Sequence, residues 1–95
     1  MAKELAPFRT RIDMLDGEIV RLLAERFAVV REVAAVKHRS KIPVLLPERI
    51  EAVKEQAAAR GAPLGLDPDF LRQLYGLIIA EACRVEDALM AEEPD

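Results

Sequence analysis

Apolar side chains recur along the first forty residues at a helical spacing. The separations alternate between three and four residues, so these positions form one continuous stripe along a helix. The stripe comprises Leu5, Phe8, Ile12, Leu15, Ile19, Leu22, Arg26, Val29, Val33 and Val36. Nine of the ten positions are apolar, and Arg26 is the exception. Because a buried guanidinium stays charged and is costly without a partner, either the stripe opens to water at Arg26 or an anion meets it there.

Breaks in the pattern predict three helices. The first runs from about residue 5 to 40 or 41 and ends before a proline. The second starts at Pro47 and runs to a natural stop at Gly61. The third has Asp67 as its N-cap, followed at once by a proline, and frays near Glu92. No strand-like alternation is present, so the fold class is all-α, and residues 1–95 form a single helical domain.

The length of the first helix predicts an assembly. Some 36 residues of helix span about 54 Å, whereas a compact chain of this size has a radius of gyration near 12 Å and is only about 30 Å across. Much of the stripe would therefore stay bare in a monomer. A two-fold, intertwined homodimer with the long helices side by side covers it. The alternative is a kink at Gly17, which gives a compact four-helix monomer.

Composition narrows the class of protein. The chain is 52% hydrophobic and 33% charged with a net charge of −3, which argues against general nucleic-acid binding. The single Cys83 excludes an intrachain disulfide and suits a reducing compartment. No apolar run approaches the roughly 20 residues of a membrane helix. These features predict a soluble cytoplasmic protein with no membrane or nucleic-acid partner.

Four cations are placed to share one site. Lys37 follows Arg26 by eleven residues, about three helical turns, so both lie on one helix face. Arg49 opens the second helix, and Arg9 of a partner chain can reach the same region in an antiparallel dimer. Such a cluster suits a small dicarboxylate. The alternative for each cation is a solvated surface charge.

Glu86 is the corresponding exception on the third helix. It interrupts a second apolar ridge, which comprises Ile79, Ala82, Cys83, Glu86 and Met90. Glu86 either faces the cationic site or pairs with an arginine on the helix surface. With one His and one Cys there is no credible zinc site. Neither a phosphate-binding glycine loop nor a nucleophile–base pair is apparent. An enzyme built on this chain therefore works without metal, cofactor or covalent intermediate.

Several segments together resemble the all-helical chorismate mutases over nearly the whole chain. They are residues 8–16, 22–26, 33–37, 43–44, 47–49 and 77–79. The resemblance implies three helices per chain in an intertwined dimer with two identical sites. It implies rearrangement of chorismate to prephenate, a [3,3]-sigmatropic shift on the way to Phe and Tyr.

The resemblance also implies roles for the candidate residues. Arg26, Arg49 and the partner's Arg9 would hold the two substrate carboxylates. Lys37 would donate a hydrogen bond to the ether oxygen whose C–O bond breaks. Glu86 occupies the position where many members have a glutamine that donates to the same oxygen, so it would have to be protonated to do so.

Two positions depart from the family pattern and leave the substrate open. Ile50 and Leu46 occupy positions where family members that bind the C4 hydroxyl commonly have acidic residues. Ala82 is expected to line the same substrate pocket. The resemblance extends to the isochorismate-pyruvate lyases. These enzymes share the fold and lack the glutamate that chorismate mutases commonly have at the position of Ile50. The alternatives to a chorismate mutase are such a lyase, a mutase of a chorismate altered at C4, or a non-catalytic helical dimerisation module.

Overall fold

The computed structural model describes residues 3–92, and every regular element in that range is helical. The elements in chain order are α1 (Ala6–Ser40), α2 (Pro47–Gly61), a 3₁₀ turn (Ala62–Leu64) and α3 (Pro68–Glu92). The prediction of an all-α chain with three helices, one of them very long, is confirmed. The predicted domain, 1–95, extends beyond the described residues at both ends.

Helix α1 is continuous over 35 residues and passes through Gly17 without a break. It ends in a left-handed turn at Lys41, whose φ is 56°. The backbone N–H of Ile42 then donates to the carbonyl of Lys37 at 2.8 Å, which closes the last turn of the helix. The alternative of a kink at Gly17 is therefore wrong.

Helix α2 ends at Gly61, as predicted, but without a left-handed cap. Gly61 belongs to α2, has a φ of −83°, and leads into the 3₁₀ turn. The left-handed residue is Gly65, with a φ of 85°. Gly61 has a different purpose, because a Cβ there would collide with the side chain of Leu71. Glycine is needed at this position for the close approach of α2 and α3 rather than for a helix cap.

Helix α3 begins as the sequence predicts. The Asp67 carboxylate accepts a hydrogen bond from the backbone N–H of Asp69 at 2.9 Å, the geometry of an N-cap. One turn on, Arg72 pairs with Asp69 and reaches across to Glu55 of α2. These exposed contacts align α3 with α2 at their facing surfaces, and each contributes little to stability because water screens it.

The core of the single chain is small, while the chain itself is long. Its buried apolar residues are Ala34, Ala57, Ala58, Leu71 and Ala82. The described chain measures 59 × 26 × 16 Å and has a radius of gyration of 17.2 Å, against about 12 Å for a compact domain of this length. Every residue from 3 to 22 is exposed, so the apolar stripe of α1 is bare over its first half. No helix among the described residues has the length and apolar character to cross a membrane.

Candidate active site

A cavity of about 430 Å³ lies where the three helices meet, a suitable size for a small ligand. Each helix presents residues at i, i+3 or i+4, and i+7, so that one face of each helix forms a wall. The lining residues are Arg26, Val30, Val33 and Lys37 from α1, Val44, Leu46, Arg49, Ile50 and Val53 from the loop and α2, and Ile79, Ala82, Cys83 and Glu86 from α3.

The charged side chains in this cavity are the candidates from the sequence. Arg26, Lys37 and Arg49 contribute three cations, and Glu86 contributes one carboxylate. The cavity of one chain therefore has an excess of positive charge within largely aliphatic walls. Low-polarity walls strengthen the attraction for an anion, so this arrangement favours a small ligand with more than one negative charge.

Lys37 is held in place by two groups. Its ammonium donates a hydrogen bond to the backbone carbonyl of Val44 at 3.0 Å. The same nitrogen lies 3.0 Å from Oε1 of Glu86, and the two side chains are 13% and 7% exposed. The ion pair is not aligned as a hydrogen bond, since Oε1 has no hydrogen-bond partner. An ammonium has three protons, so at least one remains for a ligand.

Arg26 is half-buried and its partner is an aromatic ring. The guanidinium carbon lies 5.9 Å from the centroid of the Tyr75 ring on α3. Among residues 3–92 no carboxylate lies within ion-pair distance of Arg26. Arg21, by contrast, pairs with Glu18 and Glu25 on the exposed face of the same helix. Arg26 thus faces the cavity with its charge uncompensated.

The remaining candidates form an apolar wall. Leu46, Ile50 and Ala82 all line the cavity, and none of these side chains can accept a hydrogen bond. Cys83 lies beside them. Burial and the neighbouring charge of Glu86 raise the pKa of its thiol above the ordinary value, with Lys37 opposing the shift. Within the described part of the chain, no group of three or more His, Cys, Asp or Glu residues is arranged to hold a metal ion.

Arg9 and Met90 lie elsewhere in the single chain. Arg9 is exposed in the first turns of α1 and does not line the cavity, so its contribution from a partner chain stays a prediction. Met90 lines a smaller hollow of about 170 Å³ between the ends of α1 and α3. The predicted ridge on α3 therefore faces the cavity at its first four positions and leaves it at the fifth.

Two features of the site were not found from the sequence. The carbonyl of Val44 and the ring of Tyr75 both contact a candidate cation, and neither contact was predicted. The backbone carbonyl has no sequence signal, and Tyr75 meets Arg26 only because α3 packs on α1. The valines of the α1 wall did have a signal, since Arg26, Val30, Val33 and Lys37 are separated by four, three and four residues.

Comparison with known proteins agrees with this geometry. The profile of the family described as "Chorismate mutase type II" matches residues 8–87. The 4-amino-4-deoxychorismate mutase of Streptomyces venezuelae is 40% identical over 90 residues, which cover 95% of this chain and 87% of that protein. The protein of the same name from Streptomyces pristinaespiralis is 36% identical over 87 residues, covering 92% of this chain and 67% of the relative.

More distant relatives include longer proteins. The T-protein of Enterobacter agglomerans is 31% identical over 87 residues, and these span only 23% of its length. The chorismate mutase of Methanocaldococcus jannaschii is 41% identical over 49 residues, half of its length. The family match covers most of the present chain and includes all the residues that line the cavity. The chain therefore belongs to the type II chorismate mutase family and is an isomerase of that class.

Proposed function

We propose that this enzyme rearranges 4-amino-4-deoxychorismate by a [3,3]-sigmatropic shift. The observation that supports this substrate is the similarity to two proteins named for it, each matched over more than 90% of the present chain. Leu46 and Ile50 are aliphatic and accept a hydrogen bond from neither a hydroxyl nor an amino group at C4, so the choice of the amino compound rests on the similarity.

Two carboxylates of the substrate are held by arginines in this proposal. Arg26 and Arg49 lie on separate helices that face the same cavity, so they can bind two carboxylates at once. Planar guanidinium groups bind carboxylates in a bidentate manner, which fixes the orientation of each. Holding both carboxylates freezes the folded conformer in which the reacting carbons approach, and this lowers the entropic part of the barrier.

Lys37 supplies the electrostatic part of catalysis. In the rearrangement the ether C–O bond breaks as a C–C bond forms within the same molecule, so no atom, proton or electron is exchanged with the protein. Negative charge gathers on the ether oxygen in the transition state, and a fixed ammonium beside that oxygen stabilises it. The Val44 carbonyl and Glu86 fix this ammonium before substrate arrives.

The site is completed in this proposal by a second copy of the chain. Phe8, Leu15 and Val29 of the α1 stripe are 56%, 62% and 55% exposed in the single chain. An apolar surface of this length is typical of a helix that is covered by another helix. An intertwined homodimer covers it and brings the partner's Arg9 toward the cavity as a third carboxylate ligand.

The substrate is tested by assaying the purified protein with three compounds in parallel: 4-amino-4-deoxychorismate, chorismate and isochorismate. We expect the highest kcat/KM with the amino compound and rearranged product without loss of pyruvate. The variant Ile50→Glu places a carboxylate on the aliphatic wall, which attracts a protonated amine more strongly than a hydroxyl, so it should shift the preference further toward the amino compound. Val53→Glu, one turn away on the same wall, is the matched control and should reduce turnover of both.

Chorismate itself is the second candidate. It is supported by similarity to the chorismate mutase of Methanocaldococcus jannaschii, and the groups that bind the carboxylates and the ether oxygen do not depend on C4. A higher kcat/KM for chorismate than for the amino compound selects this candidate. Release of pyruvate from isochorismate indicates a lyase, and turnover of none of the three indicates a non-catalytic dimerisation module.

A further inference from the structure

We propose that Tyr75 is a positioning residue for Arg26, acting through the face of its ring. The proposal rests on the proposed function in one respect, that Arg26 binds a substrate carboxylate. The ring centroid lies 5.9 Å from the guanidinium carbon, within the range of a cation–π contact. Tyr75 does not line the cavity, whereas Arg26 does, so the ring acts on substrate only through the guanidinium.

The choice of a ring rather than a carboxylate has a physical reason. Three other arginines of the described chain, Arg21, Arg72 and Arg84, each pair with at least one carboxylate. A carboxylate partner would neutralise Arg26 and occupy the N–H groups that a substrate carboxylate needs. An aromatic face attracts the cation without accepting those in-plane N–H groups, so they remain free.

The contact also lowers the conformational entropy that the Arg26 side chain loses when substrate binds. An arginine side chain has about 2 kcal/mol of rotamer entropy, and a guanidinium that is free in solvent loses it when substrate binds. Contact with a ring from α3 removes part of that freedom in advance. Tyr75 is half-buried in the packing of α3, so its ring is itself fixed by the fold.

The test replaces the ring and keeps the volume of the site. Tyr75→Leu should raise KM by roughly 2- to 30-fold, the range of a partly desolvated cation–π contact, with a smaller change in kcat. Tyr75→Phe keeps the ring face and should restore a KM close to that of the wild type. Phe70→Leu makes the same kind of change on α3 at an exposed position away from the cavity, and it should leave KM unchanged.

A purely structural role of Tyr75 gives a different result. Loss of folded protein lowers the active fraction, which reduces the apparent kcat at unchanged KM. An unchanged KM for Tyr75→Leu in an active enzyme overturns the proposal, and so does a Tyr75→Phe variant that is as impaired as Tyr75→Leu. In an Arg26→Lys background, Tyr75→Leu should raise KM by less than it does in the wild type.

Failure of the proposed function is distinguishable from failure of this proposal. The chain contains one Tyr and no Trp, so its intrinsic emission comes from Tyr75. Arg26→Met should change that emission, whereas Arg11→Met, on the exposed part of α1, should not. If the wild-type protein turns over none of the three compounds, the emission spectrum of Arg26→Met still tests the contact between Arg26 and Tyr75. An unchanged spectrum overturns the positioning role of Tyr75, and a changed spectrum supports it.

Discussion

The Lys37 ammonium and the Oε1 atom of Glu86 lie 3.0 Å apart in the cavity, and these are the two groups for which the family resemblance implies a contact with the ether oxygen. Glu86 belongs to α3 and Lys37 to the last turns of α1, so the packing of these helices brings them together. The charge on Glu86 therefore affects Lys37 as well as the substrate. A neutral side chain in place of Glu86 would change both the hydrogen-bond donors beside the ether oxygen and the net charge of the cavity.

We predict that Glu86→Gln raises kcat/KM. Glu86 forms an ion pair with Lys37, and a carboxylate only accepts hydrogen bonds, so it puts negative charge beside an oxygen that is becoming negative. A glutamine amide donates instead, so the variant should be the more active protein, by as much as roughly 10²–10³-fold. The measurement is kcat/KM for both proteins under the same conditions.

Glu81→Gln is the control for that experiment. Glu81 lies on α3, pairs with Arg84 on the exposed surface, and does not line the cavity. Its variant should keep the wild-type kcat/KM. If wild type and Glu86→Gln have equal kcat/KM, Glu86 does not contact the reacting oxygen, and Lys37 is the remaining donor.

Arg26→Met should abolish most of the activity and leave the fold intact. Loss of a charge-assisted contact to a carboxylate costs roughly 100-fold or more in kcat/KM. The melting temperature should be unchanged or higher, because a half-buried charge without a carboxylate partner is replaced by an apolar chain of similar length. Near-normal activity of this variant would show that Arg26 only packs against Tyr75.

The predicted homodimer should be visible in solution. Light scattering at micromolar concentration should give about twice the chain mass, because a second copy covers the exposed stripe of α1. A compact monomer at that concentration would contradict the intertwined assembly and, with it, the role of Arg9.

Mixed dimers test Arg9 more sharply. Arg9→Ala and Arg26→Met chains, each nearly inactive alone, should regain activity when they are unfolded and refolded together. Each mixed dimer then has one site with both arginines intact. Random pairing at equal amounts gives about one quarter of the wild-type activity. Two Arg26 variants refolded together, the control, should stay inactive. No recovery in the mixture would mean that Arg9 acts in its own chain, and an active Arg9→Ala homodimer would mean that Arg9 has no role.

Cys83 should react slowly with iodoacetamide at neutral pH. Burial, reinforced by the charge of Glu86, raises the pKa of the thiol, so less of the reactive thiolate is present at a given pH. Glu86→Gln removes one cause of the shift and should speed the reaction several-fold. Because Cys83 lines the cavity, saturating substrate should slow alkylation; equal rates with and without substrate would place the ligand elsewhere.

Gly61→Ala should destabilise the protein, whereas Gly76→Ala should not. A Cβ at Gly61 collides with Leu71 in the core, and overpacking of this kind costs about 1–3 kcal/mol. A Cβ at Gly76 meets nothing within 4 Å, and alanine is the better helix former by about 1 kcal/mol. The measurement is the free energy of unfolding in urea. Equal stability of the two variants would show that Leu71 moves aside freely.

Local signals in the sequence were sufficient to predict the helices. Asp67 and Pro68 mark the start of α3, and Pro43 marks the predicted end of α1 at residue 40 or 41, against an observed end at Ser40. Each signal acts on its own few residues. Gly61 is the exception. Glycine commonly ends a helix, so the local sequence predicts a helix cap at this position. Here glycine is needed instead because a Cβ would collide with the side chain of Leu71 on another helix.

The site was predictable as a set of residues but not as a set of contacts. Arg26, Lys37 and Glu86 were selected because each interrupts or follows an apolar pattern on its own helix. The ion pair between Lys37 and Glu86 joins residues that are far apart in the chain, as does the contact of Arg26 with Tyr75. Such distances depend on how α3 packs against α1, and no periodicity within one helix contains that information.

The exposure of residues 3–22 has a consequence for the order of folding. An isolated helix of this length is marginally stable in water, since most helical stability in proteins comes from tertiary packing. This half of α1 gains no buried surface from its own chain, so its backbone amides should exchange with solvent rapidly at low protein concentration while those of α3 stay protected. In the predicted homodimer the folding of this half is a bimolecular event, so its rate should rise with concentration.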